Sequence, residues 1–340
     1  MIIDHWNDEL NSLSADRRDV YFTEEYCKLH TFARRESLAF VYEDKDSIYI
    51  LPILVGEIPE SGGFFDFETP YGYGGPVTNN DDQSFIESAE RQLVRDCQGA
   101  GIIAGFVRFH PVLDNAHLTA GAFTIIPDRR TVAIDLSGDD LDLWENQLHS
   151  KNRNTIRKAR HNGFTFVADE SFLFLEDFKR LYRQTMQRNV ADEFYNFEDD
   201  YFGGLASQLK GRAFIGIVQH MNTPVAAAIF LYDGPWAHYH LAGSDYEAAK
   251  KGANNLLLYE SALYLRNKGA RVLHLGGGTD QSENNSLLNF KRKFSPRTFQ
   301  FSIGRCIFME DLYEQLCAKW EKTCPDKVAE FGHMVLKYRF

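Results

Sequence analysis

Residues 226–278, AAAIFLYDGPWAHYHLAGSDYEAAKKGANNLLLYESALYLRNKGARVLHLGGG, constrain the fold more than any other stretch. Two apolar runs, Val225–Tyr232 and Trp236–Ala242, flank the turn Asp233-Gly234-Pro235 and read as an antiparallel hairpin. A polar, glycine-containing link follows, then a helical pattern in which Leu256, Tyr259 and Leu263 share a face. Asn254 or Asn255 is expected to cap its start and Lys268-Gly269 to stop it, with Arg271–Leu275 as the next strand. This order leaves a helix N-terminus beside Lys250, Lys251 and Gly252, a setting that suits a phosphate or a carboxylate. An ordinary strand-to-helix link with solvated lysines is the alternative.

The 340 residues are enough for two domains, and 44% hydrophobic with 25% charged residues is an ordinary globular composition. No apolar run reaches the roughly 18–20 residues of a membrane span, and the acidic start MIIDHWNDEL is unlike a signal peptide, so a cytoplasmic location is expected. A formal charge of −11 opposes attraction of nucleic acid by the surface as a whole, and no DNA partner is expected. Five scattered cysteines and eleven histidines show no CxxC, HExxH or comparable ligand spacing, so reduced packing cysteines and no metal are expected.

Along the chain, Tyr21–Arg35 has helical spacing, and Phe40–Glu43 with Ser47–Val55 reads as a hairpin. The aromatic and glycine-rich run 62–76 is expected to be a structured loop, in which Tyr71 and Tyr73 either wall an acceptor pocket or close the core. Asp81–Gly99 is an amphipathic helix opened by Asn79, Asn80 and Asp81, followed by strands at Ile102–Phe109, Phe123–Ile126 and Thr131–Leu136. LDLWENQLHSKNRNTIRKARHNG then reads as one helix, acidic at its start and basic at its end. Arg153, Arg157 and Arg160 fall on one side of it, either to grip phosphates or as a solvated face. Strand Phe164–Ala168, helices near Phe172–Asn189 and Phe197–Leu209, and strand Ala213–His220 lead into the hairpin. Strand Thr298–Ile303 and helix Glu310–Trp320 come after it. The fold class is therefore α/β (α+β), with mixed, mainly antiparallel sheets flanked by helices.

The order of elements in the second half is similar to the GNAT acyltransferase fold. R-x-x-x-I-R-K-A-x-x-x-G at Arg153–Gly163, the helix Asn254–Gly269, L-G-G-G at Leu275–Gly278 and F-K-R-K-F at Phe290–Phe294 together resemble the Fem family. These bacterial transferases have two tandem GNAT-like domains and add amino acids to the peptide stem of cell-wall precursors. The resemblance implies a first domain of residues 1–137 plus 298–340 and a second of 138–297. The helical patterns between Phe172 and Leu209 are too short for the coiled-coil arm that some family members carry. Lys250-Lys251-Gly252-Ala253 stands where acetyl-CoA enzymes have a fuller glycine loop.

The family likeness implies transfer of an aminoacyl or acyl group to an amine of a small-molecule or lipid-linked precursor of the peptidoglycan type. The donor would be aminoacyl-tRNA or acyl-CoA, with no tightly bound cofactor. Lys291 matches the family's functional FK pair and is expected to stabilise an oxyanion or substrate phosphates, with Phe290 and Phe294 walling the site. Arg153, Arg157, Arg160, Tyr239 and Lys293 join Tyr71 and Tyr73 as acceptor-binding candidates. Lys251, Gly252, Asn254 and Asn255 are the donor-binding candidates. His240 leads the choices for proton transfer, with His238, Asp280 and Glu260 behind it. An acyl-CoA N-acyltransferase acting on an amino sugar or small amine, and a non-catalytic module holding a phosphorylated glycan, are the rival readings.

Overall fold

The computed structural model describes residues 1–31, 35–189 and 197–340. They form two compact units, Met1–Asp128 with Gln300–Phe340, and Arg129–Phe299. In the first, helix α1 (Glu24–Lys28) begins where Thr23 Oγ1 accepts the Tyr26 N–H. The helical spacing expected over Tyr21–Arg35 yields only a 3-10 turn at Val20–Phe22 and this short helix; residues 32–34 lie outside the described ones. Strands β1 (Arg35–Asp44) and β2 (Ser47–Glu57) form the expected hairpin, paired from Arg35↔Gly56 to Asp44↔Ser47.

The run 62–76 is not a loop throughout, because Phe65–Glu68 forms strand β3, antiparallel to β2 and parallel to β4 (Ile102–Arg108). Gly105 makes that pairing possible, since a Cβ there would lie 2.3 Å from the Phe67 ring. Helix α2 (Gln83–Gly99) is capped by Asp82 rather than by Asn79, Asn80 or Asp81; its Oδ1 accepts the Ser84 and Phe85 N–H groups at 2.8 and 3.3 Å.

The two strands expected at Phe123–Ile126 and Thr131–Leu136 are one, β5 (Thr124–Asp135). The fixed φ of Pro127 suits extended backbone and does not end it. The long helix expected after it is broken. Asp140–Asp142 runs into a π-helical turn, Leu143–Gln147, and α3 (Ser150–His161) starts afresh from His149. Gln147 causes the break, its amide exchanging two hydrogen bonds with the Asp135 backbone, at 3.0 Å from the N–H and 2.7 Å to the carbonyl.

Strand β6 (Phe164–Asp169), helices α4 (Leu175–Asn189) and α5 (Asp199–Gln208), and strands β7 (Ala213–His220), β8 (Thr223–Asp233) and β9 (Trp236–Ser244) follow. β6, β7, β8 and β9 pair antiparallel in that order. A short helix α6 (Tyr246–Lys250) and the long α7 (Ala253–Asn267) cross over to β10 (Val272–Gly277), which is parallel to β9 and antiparallel to β5. Helix α8 (Ser286–Lys291), strand β11 (Thr298–Ile307) and helix α9 (Glu310–Thr323) complete the chain's main elements.

In the second unit Phe214, Phe230, Leu273 and Leu275 on one sheet face pack with Ile156 and Ala159 of α3 and Leu256, Leu257 and Ala262 of α7. The opposite face carries α4, whose backbone comes so close that a Cβ on Gly243 would lie 2.3 Å from the Tyr182 nitrogen. The first unit has its own core, in which β2 and β4 contribute Tyr49, Leu51 and Val107 against Ala89, Leu93 and Cys97 of α2. Among the described residues no helix is long and apolar enough to cross a membrane.

Candidate active site

Strands β9 and β10 pair only through Trp236–His238 and Val272–His274. Beyond that point each follows its outer neighbour alone, β9 along β8 as far as Ser244↔Ala226 and β10 along β5 as far as Gly277↔Thr131. Two parallel strands that part leave an opening between their C-terminal halves, where backbone groups of both strands are released from the ladder. His238 and His274, both buried, face each other at the last paired position, with rings 5.8 Å apart.

One side of the opening ends at Ser244 and the start of α7. The N-cap of α7 is Gly252 at φ +93°, with no side-chain cap, and not Asn254 or Asn255. Glycine is required there twice over, by its positive φ and because a Cβ would sit 2.7 Å from Thr155. The asparagine side chains are committed elsewhere. Asn254 Nδ2 donates to Ser244 Oγ at 3.1 Å, and Asn255 Nδ2 to Asn152 Oδ1 at 2.5 Å. Lys251 is exposed, while Lys250 is 2.9 Å from Glu247 and 3.9 Å above the Tyr246 ring. The uncapped terminus of this four-turn helix carries partial positive charge and suits an anion.

The other side ends at Gly277. Lys291 Nζ donates to the Gly277 carbonyl at 2.6 Å, and Arg129 Nη1 to the Gly278 carbonyl at 3.2 Å. Lys291 is only 7% exposed, and burial, reinforced by the Arg129 charge, lowers its pKa to about 7. Asn285 caps α8 through the Leu287 and Leu288 N–H groups, and its Nδ2 reaches Thr279 Oγ1 and Asp280 Oδ2. Phe290 and Phe294 meet edge to face at 5.3 Å, with Phe294 fully buried.

A hydrogen-bonded chain joins three of the expected motifs. Asn152 of α3, 1% exposed, donates to the Lys293 carbonyl at 3.2 Å and accepts from Asn255. The FKRKF run, the basic helix and the start of α7 therefore meet at one buried amide. The Lys293 side chain itself is exposed.

The arginine face of α3 has internal partners. Arg153 donates to the carbonyls of Trp144, Glu145 and Leu148 at 3.0–3.1 Å and so closes the π turn. Arg157 lies over the Trp144 ring at 5.1 Å and bonds Asn154. Arg160 pairs with Glu260 at 2.6 Å over the Tyr259 ring.

His240 Nε2 is 2.7 Å from the Tyr201 hydroxyl of α5. A register shift opposite Ile229/Phe230 interrupts the alternation of β9 at His240, so it does not share a regular strand face with His238. Tyr239 packs on Phe230, and burial pushes its pKa up. Tyr71 and Tyr73 belong to the first unit. The Tyr71 carbonyl accepts from Tyr26 Oη at 2.6 Å, and the Tyr73 ring meets Tyr21, His110 and Phe301. Arg129, Asn152 and Asn285 escaped the sequence reading. Only the pair Arg129-Arg130 ahead of a strand hinted at any of them.

Residues 149–292, from the start of α3 to the end of α8, match the family model of the acetyltransferase (GNAT) domain. A solved structure of FemX superposes with a TM-score of 0.73 at 14% identity, over 93% of this chain and 99% of that one. The fold is Fem-like. The C-terminal domain of a putative lysylphosphatidylglycerol synthetase from Agrobacterium fabrum shares this Fem-like fold at a TM-score of 0.56 and 16% identity, over 88% and 90% of the two chains. L-PGS from Bacillus licheniformis does so at 0.54 and 16%, over 79% and 83%. At these identities the likeness is one of fold, and no curated protein matches the sequence. The parting strands and the glycine-capped helix of the Fem-like chain both lie within the matched GNAT residues, so the second unit carries an acyltransferase domain.

Proposed function

We propose that the chain transfers an aminoacyl or acyl group onto an amine of a cell-envelope precursor. The observation that carries the reading is the opening between β9 and β10, with an uncapped helix terminus at one end and the buried Lys291 at the other. The names FemX and lysylphosphatidylglycerol synthetase support the envelope side of it, the second naming a lysyl group joined to a phospholipid.

In this reaction the lone pair of a neutral amine attacks the donor carbonyl carbon, and a C–N bond forms. The resulting oxyanion then expels the ester oxygen or thioester sulfur of the donor, and the nitrogen loses a proton. Donor phosphates belong at the start of α7, where Lys251 and the first N–H groups face them. Lys291, with its pKa lowered to about 7, is partly charged at neutral pH and in its charged form stabilises the oxyanion or an acceptor phosphate. His240, fixed by the Tyr201 hydroxyl, is the candidate for receiving the proton. Tyr239, Arg157 and Lys293 are proposed acceptor contacts. Arg153 and Arg160 are proposed to act by shaping α3.

A second reading keeps the acyl transfer and takes acyl-CoA as donor with a small amine or amino sugar as acceptor; the GNAT family match favours it. Calorimetric titration with acetyl-CoA separates the two. Saturable binding at micromolar strength supports the acyl-CoA donor. Absence of heat at two temperatures, with turnover of charged tRNA and a nucleotide-linked wall precursor on the cytoplasmic side of the pathway, supports the first. Turnover of neither donor rejects both.

A further inference from the structure

Helix α2 buries Phe85, Ile86, Ala89, Leu93 and Cys97 along one stripe, and Glu90 lies on the same face, 3% exposed. A carboxylate at a core position calls for partners. Its Oε2 accepts the Ala122 N–H at 2.8 Å, and the Ala120 N–H is also directed to the carboxylate, which ties down the loop ahead of β5. Oε1 has no hydrogen-bond partner among the described residues. An acceptor buried and unmatched in this way carries a desolvation penalty that no hydrogen bond offsets, larger if it is charged.

An open surface groove of about 520 Å³ lies beside this carboxylate, between α2 and the loop Ala120–Ala122. The loop leaves room, since a Cβ built on Gly121 would meet nothing within 4 Å. Glu87, Arg91 and Arg95 line it with Glu90, so two acids stand against two guanidinium groups, and Val94 adds an apolar patch. The arginines are weakly engaged. Arg91 is 3.6 Å from Glu87 and 2.8 Å from Ser88 Oγ, and Arg95 Nε donates to the Arg91 carbonyl at 3.2 Å. Such an exposed pair is worth little and opens readily.

A lining with both signs and no net charge complements a ligand with both charges and no net charge. We propose that this groove of the first unit binds a free α-amino acid, with its ammonium on Glu90, its carboxylate on Arg91 and Arg95, and its side chain over Val94. The volume lies within the range of small-ligand sites and exceeds one amino acid. An ammonium donating to Oε1 supplies the missing hydrogen bond and offsets the burial that raises the Glu90 pKa. The site lies in the first unit and does not depend on the transfer reading.

The test is calorimetric titration of the full chain with L-alanine and L-leucine, beside N-acetyl-L-alanine and L-alaninamide, which each lack one of the two charges. Saturable heat with at least one free amino acid is expected, weakened about tenfold or more, or 1.4 kcal/mol, in both blocked forms. Glu90→Gln should lose the binding while its amide oxygen still accepts from Ala122. The Arg91→Ala/Arg95→Ala double variant changes only surface groups and should show the same loss, so the test survives if Glu90→Gln does not fold. No saturable heat with either amino acid at about 10 mM overturns the proposal. So does equal binding of the blocked forms, or unchanged binding in the arginine variant.

Discussion

Lys291 combines a chemical and an energetic role. Its folded pKa, lowered to about 7, lies below the roughly 10.4 of an unfolded lysine, so the unfolded chain binds more protons between those values. Burial of Lys291 therefore lowers stability most below about pH 7, and stability rises as pH climbs from there toward the unfolded value. Lys291→Met should remove that pH slope from the denaturation midpoint and raise Tm at pH 7 by roughly 2–5 °C. In the transfer assay the same change should lower kcat by about 10²–10³-fold, the cost of one oxyanion donor. A variant that gained stability and kept its turnover would confine Lys291 to holding the Gly277 carbonyl. The motif around Lys291 was readable in the sequence, but its burial was not. Nothing local in F-K-R-K-F tells that the first lysine turns inward and the second outward.

At the scale of elements, α3, α7 and the FKRKF run depend on the Asn152 amide. Asn152→Ala leaves the Lys293 carbonyl and the Asn255 amide without that partner, and about 1–3 kcal/mol of stability should be lost by urea denaturation. Gly243→Ala places a methyl carbon against the α4 backbone and should cost about 1–3 kcal/mol or more through overpacking. Periodicity made β7, the β8–β9 hairpin and α7 legible to within a few residues, because each shows its buried face in its own sequence. The break after Gln147 and the caps at Asp82 and Gly252 were not legible. Gln147 is diverted by a backbone twelve residues away, and Gly252 is selected by contact with Thr155 nearly a hundred positions earlier.

At the scale of the whole molecule, the first unit is assembled from two separated lengths of chain, and Arg339 holds them together. It grips both oxygens of the fully buried Asp66, at 2.6 and 2.7 Å, and donates to the carbonyls of Gly56 and Glu57. Arg339→Ala leaves that carboxylate only Arg35, whose Nη1 is 3.6 Å from Asp66 Oδ1, and should cost about 3 kcal/mol at neutral pH. Burial is the largest influence on Asp66 and raises its pKa against the lowering by Arg339, so without the arginine its protonation should move to higher pH. The penalty should shrink as the pH falls, which guanidinium titrations at pH 5 and 7 would read. The fold class was legible from element order, whereas this long-range pair was not, since nothing near either residue marks the other.

The parting of β9 and β10 bears on how such a site can change. Atoms that leave a strand ladder there belong to the main chain, and no amino-acid replacement other than proline, which lacks the N–H, deletes them. A molecule held by those atoms is gripped by geometry shared among all sequences that keep the strands apart. Exchange of side chains around the mouth can then retune which cargo is accepted, while the means of holding it stays in place.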